Sequence, residues 1–468
     1  MDKSKKRVHF LGINGSGIAG VACLAKQNEY IVSGCDLNKV GNYTTQLNEV
    51  NIDVLEGHSV EHLENIDKLV VSAAIYFKDR YKDIPEVVEA MNRNIEIVKW
   101  QTFLNDDLAK DKELISICGT HGKTTTTTFL TDLLEDLGTD PMAMVGGINK
   151  RTNRGYRSGK GKYFVCESDE YAGNFLSYYP KYTIINNIEM EHPEYFNDFD
   201  GYKNNFSNFI QNIQDNGIII FNGDCDGCCD VINSNKDFLI NKNVKIISYS
   251  LKNNKCGDFI RNIQANILDN TSFEINGEIF KLDGVYGEHN FRNCIVNIIL
   301  LQELDFNNKD IKKALLNIEL PKRRMEKVFD KDNIVVYDDY AHHHTQILYN
   351  LDTLRNSMDK DDKIIAILEP HLISRFRDNS DEYIKYMEIA DFPIITKFYK
   401  SREQNLKDLN MDAYVKNNKV EYIEEFDDVI KQVMTILDTV KYNKMHIVVM
   451  GAGLSYILAQ NIVNILNK

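Results

Sequence analysis

The chain has 468 residues, 43% of them hydrophobic, with a formal net charge of -14 and a pI near 5.3. At about 150 residues per domain, that length calls for three cores. The acidic balance excludes non-specific attraction to nucleic acid or to an anionic membrane.

No stretch reaches the roughly 18 apolar residues of a membrane span. Nine cysteines, an odd number scattered through the chain with Cys118, Cys166 and Cys294 in apolar runs, read as the reduced thiols of a cytoplasmic protein. The basic start from Lys3 to Arg7 is followed by Gly12, Gly15, Gly17 and Gly20, which interrupt any apolar export signal.

In chain order, 8–13 reads as a strand, Ser16 to Gln27 as a helix, and Tyr30 to Gly34 as a strand ending at Asp36. Gly15-Ser16-Gly17-Ile18-Ala19-Gly20 matches G-x-G-x-x-G, with Asp36 about twenty residues on. A helix N-terminus of this kind accepts a diphosphate, and a UDP-sugar meets that requirement as well as NAD does. Lys68 to Ser72 continues this α/β segment, which extends to residue 112.

Glu113 to Cys118 is a short buried strand, and Thr124 to Leu137 a helix. Between them stands Gly119-Thr120-His121-Gly122-Lys123-Thr124-Thr125, a phosphate loop on a strand-to-helix turn. Its spacing is G-x-x-G-K-T-T, with Ile117 where the usual P-loop has its first glycine. Lys123 supplies a cation for phosphates, Thr124 a hydroxyl for Mg²⁺. The strands 163–167 and 182–186 end in Glu167-Ser168-Asp169-Glu170 and Asn187-Ile188-Glu189-Met190-Glu191-His192, so carboxylates and one imidazole converge on the loop. Cys225-Asp226-Gly227-Cys228-Cys229 has a C-x-x-C spacing, but no second pair follows at zinc-finger distance and it reads as an acidic turn. Asn290 and Asn293, three apart around the start of a helix 294–304, present amides on one face.

The third segment opens with Lys322-Arg323-Arg324-Met325-Glu326 and Asp338-Asp339-Tyr340-Ala341-His342-His343-His344. Consecutive histidines on a turn project in different directions, so no zinc site is expected from them. Strands at 334–337, 363–368, 392–396 and 446–450 alternate with helices, and Gly451-Ala452-Gly453 follows the last. The expected fold class is α/β in three domains: a Rossmann-like domain at 1–112, a central P-loop ATPase-like α/β domain at 113–320 and a C-terminal Rossmann-like α/β domain at 321–468.

In this order the motifs resemble the Mur ligase family over essentially the whole chain. The matching pieces are 12–17, 71–75, 119–125, 167–171, 187–192, 287–290, Arg323-Arg324, 338–343 and Glu369-Pro370-His371 with Arg375. The resemblance is strongest to the alanine-adding branch. Other branches carry a modified lysine about fifteen residues past the His192 position, where this chain has Phe206-Ser207.

The resemblance implies a cytoplasmic enzyme of peptidoglycan synthesis, monomer or homodimer, with ATP and Mg²⁺ as cofactors and UDP-N-acetylmuramate and L-alanine as substrates. It implies that Gly119 to Thr125 hold the ATP phosphates, that Thr124, Glu167 and His192 bind metal, and that Asn290 and Asn293 read adenine. Arg324 and Asp339 would meet the nucleotide. His343, His371 and Arg375 would face the reacting centre, and Gly15, Ser16, Gly17, Asp36 and Ser72 the UDP-sugar. Three positions depart from the pattern: Glu191 for aspartate, His344 for proline, and Leu372 for arginine or threonine. Competing readings are a ligase that recycles a tripeptide onto the same UDP-sugar, a folate polyglutamate ligase, an NAD-dependent dehydrogenase, and a catalytically silent nucleotide-binding protein.

Overall fold

Three sheets carry the chain, each built from βα units with strands that are nearly continuous apolar runs, as strands covered on both faces must be. The structure, a computed structural model, describes residues 5–41, 43–72, 75, 81–191, 195–196, 198–400, 403, 409–416 and 418–467. It separates into two compact units, Met1–Glu319 with two sheets and Leu320–Lys468 with one.

The first sheet is all parallel, in the order β3-β2-β1-β4-β5, from β1 (Arg7–Leu11), β2 (Ile31–Asp36), β3 (Val54–Glu56), β4 (Lys68–Val71) and β5 (Glu96–Lys99). Helix Ser16–Gln27 buries residues from Ile18 to Ala25. It packs on this sheet with one face and on the second sheet with another, so one apolar core runs through both. That double contact is why helix glycines are needed. A Cβ on Gly17 would stand 2.6 Å from Trp100 Cζ2, and one on Gly20 would stand 3.0 Å from Met144 Cε.

The second sheet has ten strands, ordered β15-β14-β13-β12-β11-β10-β6-β9-β7-β8. They are β6 (Glu113–Cys118), β7 (Met142–Asn149), β8 (Arg154–Arg157), β9 (Tyr163–Glu167), β10 (Tyr182–Ile185), β11 (Ile218–Asn222), β12 (Lys245–Ser250), β13 (Arg261–Ile267), β14 (Ser272–Ile275) and β15 (Glu278–Lys281). Its parallel centre gives way to antiparallel pairs at both edges. β6 lies between β10 and β9, so the chain changes side around it, and ligands of open α/β sheets bind at such a switch point.

The second unit's sheet runs β16-β17-β21-β18-β19-β20, from β16 (Glu326–Lys331), β17 (Ile334–Asp339), β18 (Lys363–Leu368), β19 (Phe392–Ile395), β20 (Glu421–Tyr422) and β21 (Met445–Met450), parallel except for the β16-β17 pair. Separate apolar cores cover its two faces.

Two sequence expectations are corrected. The helix read from residue 294 begins at Glu288, because Gly287, at φ 95°, supplies the entry turn and places Asn290 and Asn293 inside the helix. Not all thiols are reduced: Cys229 and Cys256 form a disulfide, which the spacing of 27 residues does not announce, and seven cysteines are free.

Two outcomes follow from this packing. Gly17→Ala should lower stability by about 1–3 kcal/mol, since overpacking against a rigid indole outweighs a helix-propensity gain of about 1 kcal/mol. The double variant with Trp100→Leu should recover part of the loss in urea midpoint. Among the free thiols only Cys225 is lowered, to about 7, mainly by a hydrogen bond from Cys228, while burial raises the other six. Iodoacetamide labelling followed by peptide mapping should find Cys225 modified first, at a rate rising through pH 7.

Candidate active site

The turn Gly119–Gly122 can form only with glycine at both ends. Gly119 has φ 125° and Gly122 φ 81°, and a Cβ on Gly119 would stand 2.8 Å from the Asn187 carbonyl oxygen. On Gly122 it would strike the Asn293 side-chain oxygen. The loop is therefore pressed between the segment after β10 and helix Glu288–Glu303. Thr120 N–H donates to the Asn187 carbonyl at 3.0 Å, His121 N–H to Asn187 Oδ1 at 2.8 Å, and Thr120 Oγ1 to the Glu189 carbonyl at 2.9 Å. Helix Lys123–Asp136 then starts with no side-chain cap, which leaves its positive end to a ligand.

Lys123 is not the solvent-facing lysine that a loop position suggests. Its Nζ lies 2.9 and 3.1 Å from the two oxygens of Glu170, which is fully buried, and it donates to the Gly119 carbonyl at 2.6 Å. Tyr202 OH donates to Glu170 Oε1 at 3.1 Å and stands 3.1 Å from Thr120 Oγ1, so loop, β9 end and helix Phe199–Ile210 share one network. Burial opposes the ammonium charge, but Glu170, Asp169 and Glu167 outweigh it and hold the Lys123 pKa above the ordinary lysine value.

Thr124 Oγ1 donates to Glu167 Oε1 at 3.1 Å, and Glu167 Oε2 accepts from Gly146 N–H at 2.7 Å. A hydroxyl and a carboxylate beside a phosphate loop are the hard oxygen donors that Mg²⁺ takes. His192 lies outside the described residues. Glu189 is raised by burial and then by Glu191, so the acids after β10 repel one another. Thr125 is buried in the first helical turn. Asn293 Oδ1 accepts from Thr126 Oγ1 at 3.2 Å, and Asn290 Nδ2 donates to the Tyr286 carbonyl at 2.8 Å. Both amides are thus engaged in holding helix Glu288–Glu303 and its approach.

At the N-terminal glycine turn, Gly15 caps helix Ser16–Gln27 without a side-chain bond, and Asp36 Oδ2 accepts from Asn14 N–H at 3.0 Å. Ser72 is buried, and its N–H donates to the Leu11 carbonyl. The space that a side chain on Gly17 would need is filled by Trp100.

Within the second unit, Arg323 donates to the Gly451 carbonyl at 2.7 Å and pairs with Asp338 at 3.2 Å. Arg324 lies over the Tyr340 ring. Asp339 accepts from Met325 N–H at 2.6 Å and Ala341 N–H at 2.5 Å, and burial raises it against the pull of Arg324. The three histidines do not all point apart, since the His343 and His344 rings lie 4.1 Å from one another, centroid to centroid. His342 meets His371, His343 caps helix His344–Ser357 with Gln346 completing a capping box, and His344 packs on Tyr383 and Tyr386. His371 also stacks on Tyr399. Arg375 is 4% exposed in helix Ile373–Asp378, and Leu372 before it is held at φ 69°.

Glu170 and Asn187 stand in the two strand-end motifs read from the sequence, but the pairing of Glu170 with Lys123 and of Asn187 with the loop backbone is not legible there; Tyr202 carries no signal in the sequence.

These sheets and this loop define a nucleotide-site α/β protein of three domains. The chain belongs to the Mur ligase family: models described as the Mur ligase family catalytic domain, the Mur ligase middle domain and the Mur ligase glutamate ligase domain match residues 7–112, 117–301 and 323–453. It is 32% identical over 431 residues to a UDP-N-acetylmuramate--L-alanine ligase of Caldicellulosiruptor bescii, covering 90% of this chain and 91% of that one. Proteins of the same name from Clostridium botulinum and Rickettsia bellii are 30% and 31% identical, over 99% and 97% of this chain and 98% and 95% of theirs. Among solved structures, UDP-N-acetylmuramate-alanine ligase MurC from Thermotoga maritima matches in fold with a TM-score of 0.77 at 23% identity, covering 98% and 99% of the two chains. A murein peptide ligase from Psychrobacter arcticus matches at 0.67 and 24% identity over 99% of each.

Lys123→Met should cost about 3–5 kcal/mol, because it strands the buried Glu170 carboxylate. Adding Glu170→Gln should restore most of that stability without restoring nucleotide turnover. Chemical unfolding of the two variants beside a phosphate-release assay separates the structural from the catalytic loss.

Proposed function

We propose that the protein is an ATP-dependent ligase that joins the carboxylate of UDP-N-acetylmuramate to the amine of L-alanine. The observation that carries this reading is the phosphate loop at the switch point of the second sheet, with Lys123 held against Glu170 and Thr124 against Glu167. The relatives' names support the choice of substrates, since three of them are 30–32% identical over at least 90% of this chain.

A carboxylate is a poor acceptor for an amine. One of its oxygens first attacks the γ-phosphorus of ATP, ADP leaves, and an acyl phosphate forms. The amine nitrogen then attacks the acyl carbon, loses a proton, and inorganic phosphate departs from the tetrahedral species. Transfer between two anions requires neutralised charge and fixed geometry. Lys123 and the backbone N–H groups at the start of helix Lys123–Asp136 supply positive potential, and the glycine turn keeps side chains out of the phosphate path. Thr124 and Glu167 would hold a Mg²⁺ ion, joined in this proposal by His192, and such an ion when bound spreads the charge of the transferring group. Asp36 holds the glycine turn of the first sheet in shape for the diphosphate of the UDP-sugar. The roles implied for Arg324, Asp339, His343, His371 and Arg375, and the domain limits 1–112, 113–320 and 321–468, belong to the same proposal.

Phosphate release from ATP should require UDP-N-acetylmuramate and L-alanine together, with one amide formed per phosphate. Release that needs neither, or that responds to a stem tripeptide and not to L-alanine, overturns the reading.

A further inference from the structure

Beneath the glycine turn of the first sheet, a group of chemistry-bearing side chains takes no part in the steps above. His9 on β1, Cys35 on β2 and Glu86 in the first turn of helix Pro85–Asn92 are fully buried. His62, in the short helical turn Val60–Leu63, closes the group at 14% side-chain exposure. One donor atom from each of these four residues lies within 4.8 Å of all the others. His9 Nε2 is 3.3 Å from Cys35 Sγ, Cys35 Sγ is 3.4 Å from Glu86 Oε1, and His62 Nδ1 is 3.0 Å from the same oxygen. Ligands about 2.0–2.3 Å from a tetrahedral zinc ion stand roughly 3.3–3.6 Å from one another, so the three separations just given are near those such an ion requires, and the other three are within 4.8 Å.

A plain hydrogen-bond network explains the group less well. Donors from Cys35, His62 and Ser59 N–H, with His58 Nδ1 at 3.4 Å, all crowd on Glu86 Oε1. Glu86 Oε2, equally buried, has no hydrogen-bond partner among the described residues. A buried carboxylate oxygen without a partner calls for an ion or water. The outer contacts also suit a metal. His9 Nδ1 is 2.8 Å from Ser33 Oγ, and with Nδ1–H donating there, Nε2 turns its lone pair to the centre.

We propose that His9, Cys35, His62 and Glu86 form a structural zinc site. One sulfur, two imidazoles and one carboxylate select zinc over magnesium, which separates this site from the oxygen donors Thr124 and Glu167. On binding, Cys35 releases its thiol proton to solvent and its sulfur ligates as thiolate. The site ties together β1, β2, the turn after β3 and helix Pro85–Asn92. It also reaches the glycine turn, because the Cys35 carbonyl accepts from Gly12 N–H at 2.9 Å and Ile13 N–H at 3.1 Å.

The test is titration of the full chain, stripped with chelator, by Co²⁺ and then Zn²⁺, followed by absorption. The expected result is a single cobalt per chain with tetrahedral visible bands and a near-ultraviolet thiolate-to-cobalt band, all bleached by zinc. Cys35→Ser should abolish the near-ultraviolet band and Cys225→Ser should leave it. Ser33→Ala should weaken cobalt binding by about 10–100-fold. The proposal is overturned if the wild-type chain shows no thiolate band in excess cobalt, if the band survives Cys35→Ser, or if it vanishes in Cys225→Ser. Should Cys35→Ser fail to fold, His62→Gln and Ser33→Ala decide, and unchanged cobalt affinity in both overturns it.

Discussion

The buried pair of Lys123 and Glu170 is the contact around which the central domain is arranged. An uncompensated carboxylate in that position would cost several kcal/mol, and the ammonium that answers it comes from the phosphate loop between β6 and helix Lys123–Asp136. Tyr202 and Thr120 extend the pair into helix Phe199–Ile210 and the segment after β10, so the ends of β6, β9 and β10 are fixed by one polar network. The loop is thereby shaped before a ligand arrives, which is the form of preorganisation that electrostatic catalysis needs.

Much of this was legible in the sequence because it depends on local rules. β6, β9 and β18 fall where apolar runs end at glycine or polar residues, and helix Ser16–Gln27 has the bounds its glycine cap and periodicity indicate. The phosphate loop declares itself through positive-φ glycines that no other residue replaces cheaply. What could not be read depends on residues far apart in the chain. The engagement of Lys123 by Glu170 crosses 47 residues, and the contact of Gly17 with Trp100 joins one helix to the start of another about eighty residues later. The His9, Cys35, His62 and Glu86 group has no spacing motif at all, because four separate elements contribute one residue each.

In the glycine turn of the first sheet, part of the fingerprint also serves packing. Gly17 and Gly20 satisfy G-x-G-x-x-G, yet their missing side chains admit an indole and a methionine of the same unit. Small residues at these places let one helix serve two sheets, and that shared core makes a single unit of Met1–Glu319. The fold class follows from the sequence; the merging of its first two domains does not.

The contact of Thr126 with Asn293 and the bond from Asn297 Nδ2 to the Thr126 carbonyl span 167 and 171 residues. During synthesis at about 5–20 residues per second, the loop leaves the ribosome roughly 10–30 s before the helix that braces it. Throughout that interval Gly122 faces no Asn293, and Thr126, whose side chain ends wholly buried, stays open to water on that side. The nucleotide loop is therefore made well before the helix that braces it, and its site is among the last parts of its unit to be finished. A nascent chain cut short of residue 293 carries the whole phosphate motif in its sequence but lacks the wall that shapes it.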